Sequence, residues 1–191
     1  MKRPTAQEYK TYFSTPTGMA LIIYFLFTAL IGMFIPSDVL TANAWAREFS
    51  DFMASIVPQI DRITALGIKP DVNRFYFSLL WAMSPILISL IFFDALMRKN
   101  NHPVWRATAG NVLFTVIVAV CLVFAANNIY WMDAAEGSRA KRILNFYFET
   151  SLGRGSISNI MYTSGPASFA GGALVAVCSW LTRHIASNIR K

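Results

Sequence analysis

FYFSLLWAMSPILISLIFF, Phe75 to Phe93, is a run of 19 residues without a single charge. A helix rises about 1.5 Å per residue, so such a run reaches roughly 28 Å. The hydrocarbon core of a bilayer is about 30 Å thick. In lipid a backbone must satisfy its own hydrogen bonds, and a helix does so within one segment. A barrel strand would alternate apolar and polar residues, and this run is apolar on every side. The stretch therefore reads as a membrane-spanning helix.

Three further runs share its character. They are MALIIYFLFTALIGMFI (Met19 to Ile35), TAGNVLFTVIVAVCLVFAA (Thr108 to Ala126) and GPASFAGGALVAVCSWL (Gly165 to Leu181). The expectation is an all-α, polytopic membrane protein: one domain over 1–191, a four-helix bundle with spans near 17–36, 75–96, 105–127 and 164–184. Loops over 37–74 and 128–163 lie on one side. Composition agrees, because only 14% of the 191 residues are charged and 55% are hydrophobic. A soluble domain carries about 25% charged residues, enough to cover its surface. The first run, preceded by Lys2 and Arg3, could be taken for a secretory leader with a cleavage site at Ala42-Asn43-Ala44. Its apolar stretch exceeds the usual 7–15 residues, and the site lies far beyond Ile35, so a retained helix is expected.

Basic residues orient the chain. Lys2, Arg3, Lys10, Arg98, Lys99, Arg106, Arg183, Arg190 and Lys191 fall on one side, with only Glu8 and Asp94 among the acids. On the other side eight basic residues face eight acids. The positive-inside rule then places both termini in the cytoplasm, in a bacterial inner membrane by the general style of the chain. The net charge of +7 is explained by this asymmetry, and nucleic acid is not an expected partner. Aromatic residues such as Tyr12, Trp105, Trp131 and Trp180 mark the span boundaries.

The two long loops carry periodic patterns of their own. In WAREFSDFMASIVPQIDRITAL, residues Trp45, Phe49, Phe52, Met53, Ile56, Ile60 and Ile63 recur at three- and four-residue spacing. That spacing predicts an amphipathic helix bent at Pro58, lying on a leaflet or roofing the bundle. In the second loop, Ile143, Leu144, Phe146, Tyr147 and Phe148 predict a short helix ending near Gly153-Arg154-Gly155.

Within the spans, Ser168, Gly172 and Ala176 repeat every four residues, and small residues on one face let a second helix approach closely. A helix–helix or oligomer contact is expected there. Asn111 is expected to make an interhelical hydrogen bond. Asp94 and Arg98, at i,i+4, are expected to form a boundary ion pair. Pro85 is expected to kink its helix.

Chemistry is sparse. His102 and His184 stand without metal-ligand spacing, and Cys121 and Cys178 lie inside apolar runs. Gly153-Arg154-Gly155-Ser156 reads as a loop and not as a phosphate cradle. The apolar cores contain no ionisable residue of the kind that proton relays and ion-coupled carriers use. The expectation is a protein that is not an enzyme and holds no cofactor and no metal. Besides the lipid bilayer, its partners would be other proteins or further copies of itself. The favoured role is a subunit of an envelope assembly of secretion, conjugation or defence type. An immunity or exclusion protein and an oligomeric channel or small-solute carrier are the alternatives.

Overall fold

The computed structural model describes residues 15–97, 108–127 and 138–189, and every regular element in them is helical. Helix α1 spans Pro16–Phe34. The Thr15 hydroxyl caps it by accepting from the Gly18 N–H at 3.1 Å, and Pro16 occupies its first turn, where no N–H is needed. It ends because Pro36 forces Ile35 into an extended conformation, with φ −62° and ψ 126°.

Three short helices follow: α2 (Val39–Ala42), α3 (Ala44–Ile56) and α4 (Pro58–Ala65). The expected bend at Pro58 is a full break, with Val57 extended between α3 and α4. Gly67, at φ 70°, takes the left-handed conformation that lets the chain turn out of α4 into the next helix.

Helix α5 (Pro70–Met97) runs 28 residues and continues without interruption across Pro85. Pro85 cannot donate to the Trp81 carbonyl four residues back. The Ser84 hydroxyl donates to that carbonyl instead, at 2.7 Å, so the lost bond is replaced within the same turn.

Helices α6 (Ala109–Asn127) and α7 (Arg139–Glu149) come next, then α8 (Ser151–Gly153). Two five-residue π-helical stretches, Arg154–Ser158 and Ile160–Ser164, lead without a break into α9 (Gly165–Ile189). Here the structure departs from expectation. Residues 151–163, read as the end of a loop, are helical and continuous with the last apolar run. The glycines that suggested a loop serve close packing. A Cβ on Gly155 would lie 2.5 Å from the Ala29 carbonyl oxygen of α1, and one on Gly153 would collide with the Phe146 carbonyl of α7.

Three helical segments are long and apolar enough to cross a membrane: Pro16–Phe34, Pro70–Met97 and Ser151–Asn188. Ala109–Ala125 is a shorter apolar helix. The structure thus supports an integral membrane protein in contact with lipid. Helices α1 and α5 run antiparallel. Thr17 donates to Asp94 at one end, and Gly32 lies against the Tyr76 ring at the other. Helix α9 packs against both α5 and α6.

The core is thickest where α1 ends and α5 begins. There Met53, Ile60, Ile63, Tyr76, Phe77, Leu144, Phe148 and Tyr162 form one buried cluster. It draws on α3, α4, α5, α7 and the second π-helical stretch, so the short helices form a cap joined to the bundle. Val39, Leu40, Ala46 and Phe75 extend it sideways.

Candidate functional site

Two helix ends without donors meet beneath the cap. The Gly32 carbonyl would normally accept from the N–H of residue 36, but residue 36 is proline and has none. The Phe148 and Glu149 carbonyls belong to the last turn of α7, whose final four carbonyls lack intrahelical donors. Arg154 supplies both ends. Its Nε donates to the Gly32 carbonyl at 3.3 Å, and its Nη1 donates to the Phe148 and Glu149 carbonyls, each at 2.9 Å. Arg154 is only 2% exposed, and its partners are backbone dipoles and no carboxylate. Arg154 lies outside the four apolar runs, in the stretch expected to be an outer loop, so its burial is a feature that the spacing of those runs did not foretell. A buried cation costs several kcal/mol unless it is well hydrogen-bonded, which is why such residues in membrane proteins mark structural or functional centres.

A polar seam continues from this point between α1, α5 and the π-helical stretches. The Ser164 hydroxyl donates to the Asn159 side-chain oxygen. The Asn159 amide donates to the Thr28 hydroxyl at 3.0 Å, and Thr28 donates to the Tyr24 carbonyl at 2.9 Å. From α5, the Tyr76 hydroxyl donates to the Thr28 carbonyl at 3.1 Å. Thr28, Tyr76, Asn159 and Ser164 are each at most 1% exposed. Asn159 lies between the two π-helical stretches, and such widened turns often accompany functional sites. The cap adds its own link, because buried Gln59 of α4 donates to the Tyr162 carbonyl at 2.9 Å. In lipid no water competes for these groups, so each pair resists separation.

At the cap surface, Arg74 of α5 binds Asp51 of α3 at 2.9 Å and Asp61 of α4 at 2.6 Å. Both acids are largely exposed, so the pairs hold orientation more than they add stability. They turn α3 so that Ala46, Ser50, Met53 and Ala54 face inward. At 100° per residue, Trp45, Phe52 and Ile56 share a narrow strip roughly 125° away from that buried face. They are 61%, 61% and 59% exposed. The other two residues of the expected apolar stripe separate from this strip. Phe49 packs partly against the core, and Ile60 of α4 is fully buried.

The remaining expected residues fall as follows. Ala176 is buried, Ser168 is half-buried and donates to the Ser164 carbonyl, and a Cβ on Gly172 would meet open space. Its neighbour Gly171 takes the close contact, facing Ile88 and Ile91 of α5. Asn111 is exposed, and its side chain forms no hydrogen bond among the described residues. Asp94 is buried and accepts from Thr17, while Arg98, its expected partner, lies outside the described residues. His102 also lies outside them, and His184 stacks on Trp180 with ring centroids 5.3 Å apart. Among the described residues no group of three metal-ligating side chains comes together.

Sequence reasoning passed over Arg154, Asn159, Thr28 and Tyr76. A signal for Arg154 existed in the pairing of a proline after the first run with a lone arginine between two glycines. Comparison with protein-family models, curated proteins and solved structures finds no match to the chain.

Proposed function

We propose that this chain is a non-enzymatic, four-span subunit of a multiprotein assembly in a bacterial inner membrane. In this reading the shorter apolar helix Ala109–Ala125 belongs to the third span, near 105–127. Both termini are cytoplasmic, and the cap of α2, α3 and α4 stands outside. The asymmetry of basic residues supports that direction.

The observation that carries the reading is the strip Trp45, Phe52 and Ile56. It sits on a helix whose adjoining face, about 125° round, is already buried and which Arg74 ties to α5. Large apolar side chains held outward on a rigid cap favour recognition of another protein, since aromatic residues dominate binding energy at interfaces. Any partner would add to a preformed surface and pay little ordering entropy.

Purification from native membranes in mild detergent, followed by mass measurement of the intact complex, tests this. A hetero-complex is expected, and it should dissociate in the triple variant Trp45→Ser/Phe52→Ser/Ile56→Ser. Phe52 and Ile56 stand outward, while Trp45 also meets the Phe75 ring edge-on, with ring centroids 5.6 Å apart, so the double variant Phe52→Ser/Ile56→Ser, which spares that contact, serves as the control for folding. Recovery of the chain alone at its own mass would favour an immunity protein. A homo-oligomer would favour a pore. A hetero-complex indifferent to the triple variant would remove the assigned surface.

A further inference from the structure

We infer that a cleft between α7 and the first π-helical stretch binds one anionic phospholipid. The cleft is open, has a volume of about 520 Å³, and is lined by Arg139, Arg142, Ile143, Phe146, Tyr147 and Ile157. Four of these, Arg139, Arg142, Ile143 and Phe146, stand at i, i+3, i+4 and i+7, so they share one face of α7. All four are exposed, while Leu144 and Phe148 on the other side of the helix are buried in the core. The exposed face therefore has two chemistries in sequence: two guanidinium groups at the start of the helix, then two large apolar side chains.

Charge complementarity selects the occupant. Neither Arg139 nor Arg142 is paired with an acid among the described residues, and the same holds for Lys141 beside them. Arg139 and Arg142, one turn apart on the same face, repel one another, and an anion held between them removes that cost. The apolar wall argues for an anion that carries hydrocarbon, since exposed Ile143 and Phe146 gain only when covered by apolar groups. Position points the same way. Ile157 lies in the first turns of Ser151–Asn188, a segment long and apolar enough to cross a membrane, and nearby Gly155 packs on Ala29 close to the end of α1, another such segment. A phosphate at Arg139 and Arg142 with acyl chains along Ile143, Phe146 and Ile157 matches this order of groups. Basic side chains near a bilayer surface attract anionic lipids in this way, and long arginines reach headgroups while their stems stay in apolar surroundings. The inference needs the bilayer but not the assembly role proposed above, and its readout needs no partner protein.

The full-length chain in mild detergent should be titrated with phosphatidylglycerol or with phosphatidylcholine, and bound lipid counted by native mass spectrometry. Each arginine should contribute about fivefold, so the anionic lipid should be retained about 25-fold better. Arg139→Gln/Arg142→Gln should bring that preference close to one, and Arg142→Lys should keep most of it. Phe146→Ser should weaken both lipids together. Arg47→Gln, on α3 and outside the lining of the cleft, should change nothing. An unchanged preference in the double glutamine variant would overturn the assignment. So would displacement of phosphatidylglycerol by equimolar glycerol phosphate, which would make the site one for free anions.

Discussion

Replacing Arg154 by methionine separates the two effects that meet at this residue. Methionine keeps an unbranched apolar stem of similar reach but removes the charge and all donors. Three carbonyls then lose their partners. The bonds to Gly32 and Phe148 are buried, whereas Glu149 is exposed and its carbonyl can turn to water. Two buried acceptors left unpaired cost about 1–3 kcal/mol each. Against this, the variant recovers part of the desolvation penalty of a buried cation. The bonds are charge-assisted, and two of the three are 2.9 Å long, so the loss should win. The net expectation is a destabilisation of about 2–4 kcal/mol. For a chain of this size that lowers the melting temperature by about 5–15 °C, readable by fluorescence-detected gel filtration in detergent.

A second variant isolates the cause. Pro36→Ala restores an N–H that can reach the Gly32 carbonyl, so in that background Arg154→Met should cost about 1 kcal/mol less. Additive effects within about 0.3 kcal/mol would refute the idea that Arg154 stands in for the donor missing at Pro36. An Arg154→Met protein as stable as the parent, or more so, would show that desolvation exceeds the capping gain.

Other expectations concern the close approaches and the cap. Gly32→Ala would place a Cβ 2.6 Å from Cζ of the buried Tyr76 ring, so α1 must shift, at a cost of about 1–3 kcal/mol in detergent unfolding. Gly155→Ala meets the Ala29 backbone and should cost at least as much, because a carbonyl cannot rotate aside as a side chain can. Gly172→Ile, by contrast, enters open space and should leave the melting temperature of the isolated chain nearly unchanged. If a further helix docks at that position in the assembly, the same variant should reduce the mass of the purified complex. Arg74→Met should lower stability by no more than about 1 kcal/mol, since both its acids are solvated. It should nonetheless loosen α3, seen as faster amide exchange over Ala44–Ile56.

Local chemistry made several features legible before any coordinates. The apolar runs, the end of the first one before Pro36 and an interruption at Pro58 depend only on neighbours in the chain. Other features misled because a local signal has two meanings. Gly-Arg-Gly-Ser resembles a loop, yet glycine also permits a helix to press on another backbone, as Gly155 does on Ala29. Within this chain Gly171, and not Gly172 of the small-residue stripe, carries the contact with α5, which leaves Gly172 open to a contact outside the chain. The helix's rotation decides between adjacent glycines, and rotation is a property of the packed bundle. Asn111 was expected to face a neighbour and instead lies exposed on α6.

The sequence by itself determined that this is a helical chain suited to a bilayer, and it supplied the charge asymmetry from which a direction is read. Burial of apolar surface and the placement of basic residues act segment by segment, so composition and spacing suffice for both. Only the tertiary structure decided that Arg154 is buried and what it bonds. Its oldest debt is to Gly32, 122 residues away, whose carbonyl lacks a donor because of Pro36. The same holds for the strip of Trp45, Phe52 and Ile56, left outward because Arg74 and the core claim the other sides of α3. An unmet hydrogen bond and an uncovered face are both defined by what the rest of the fold leaves open.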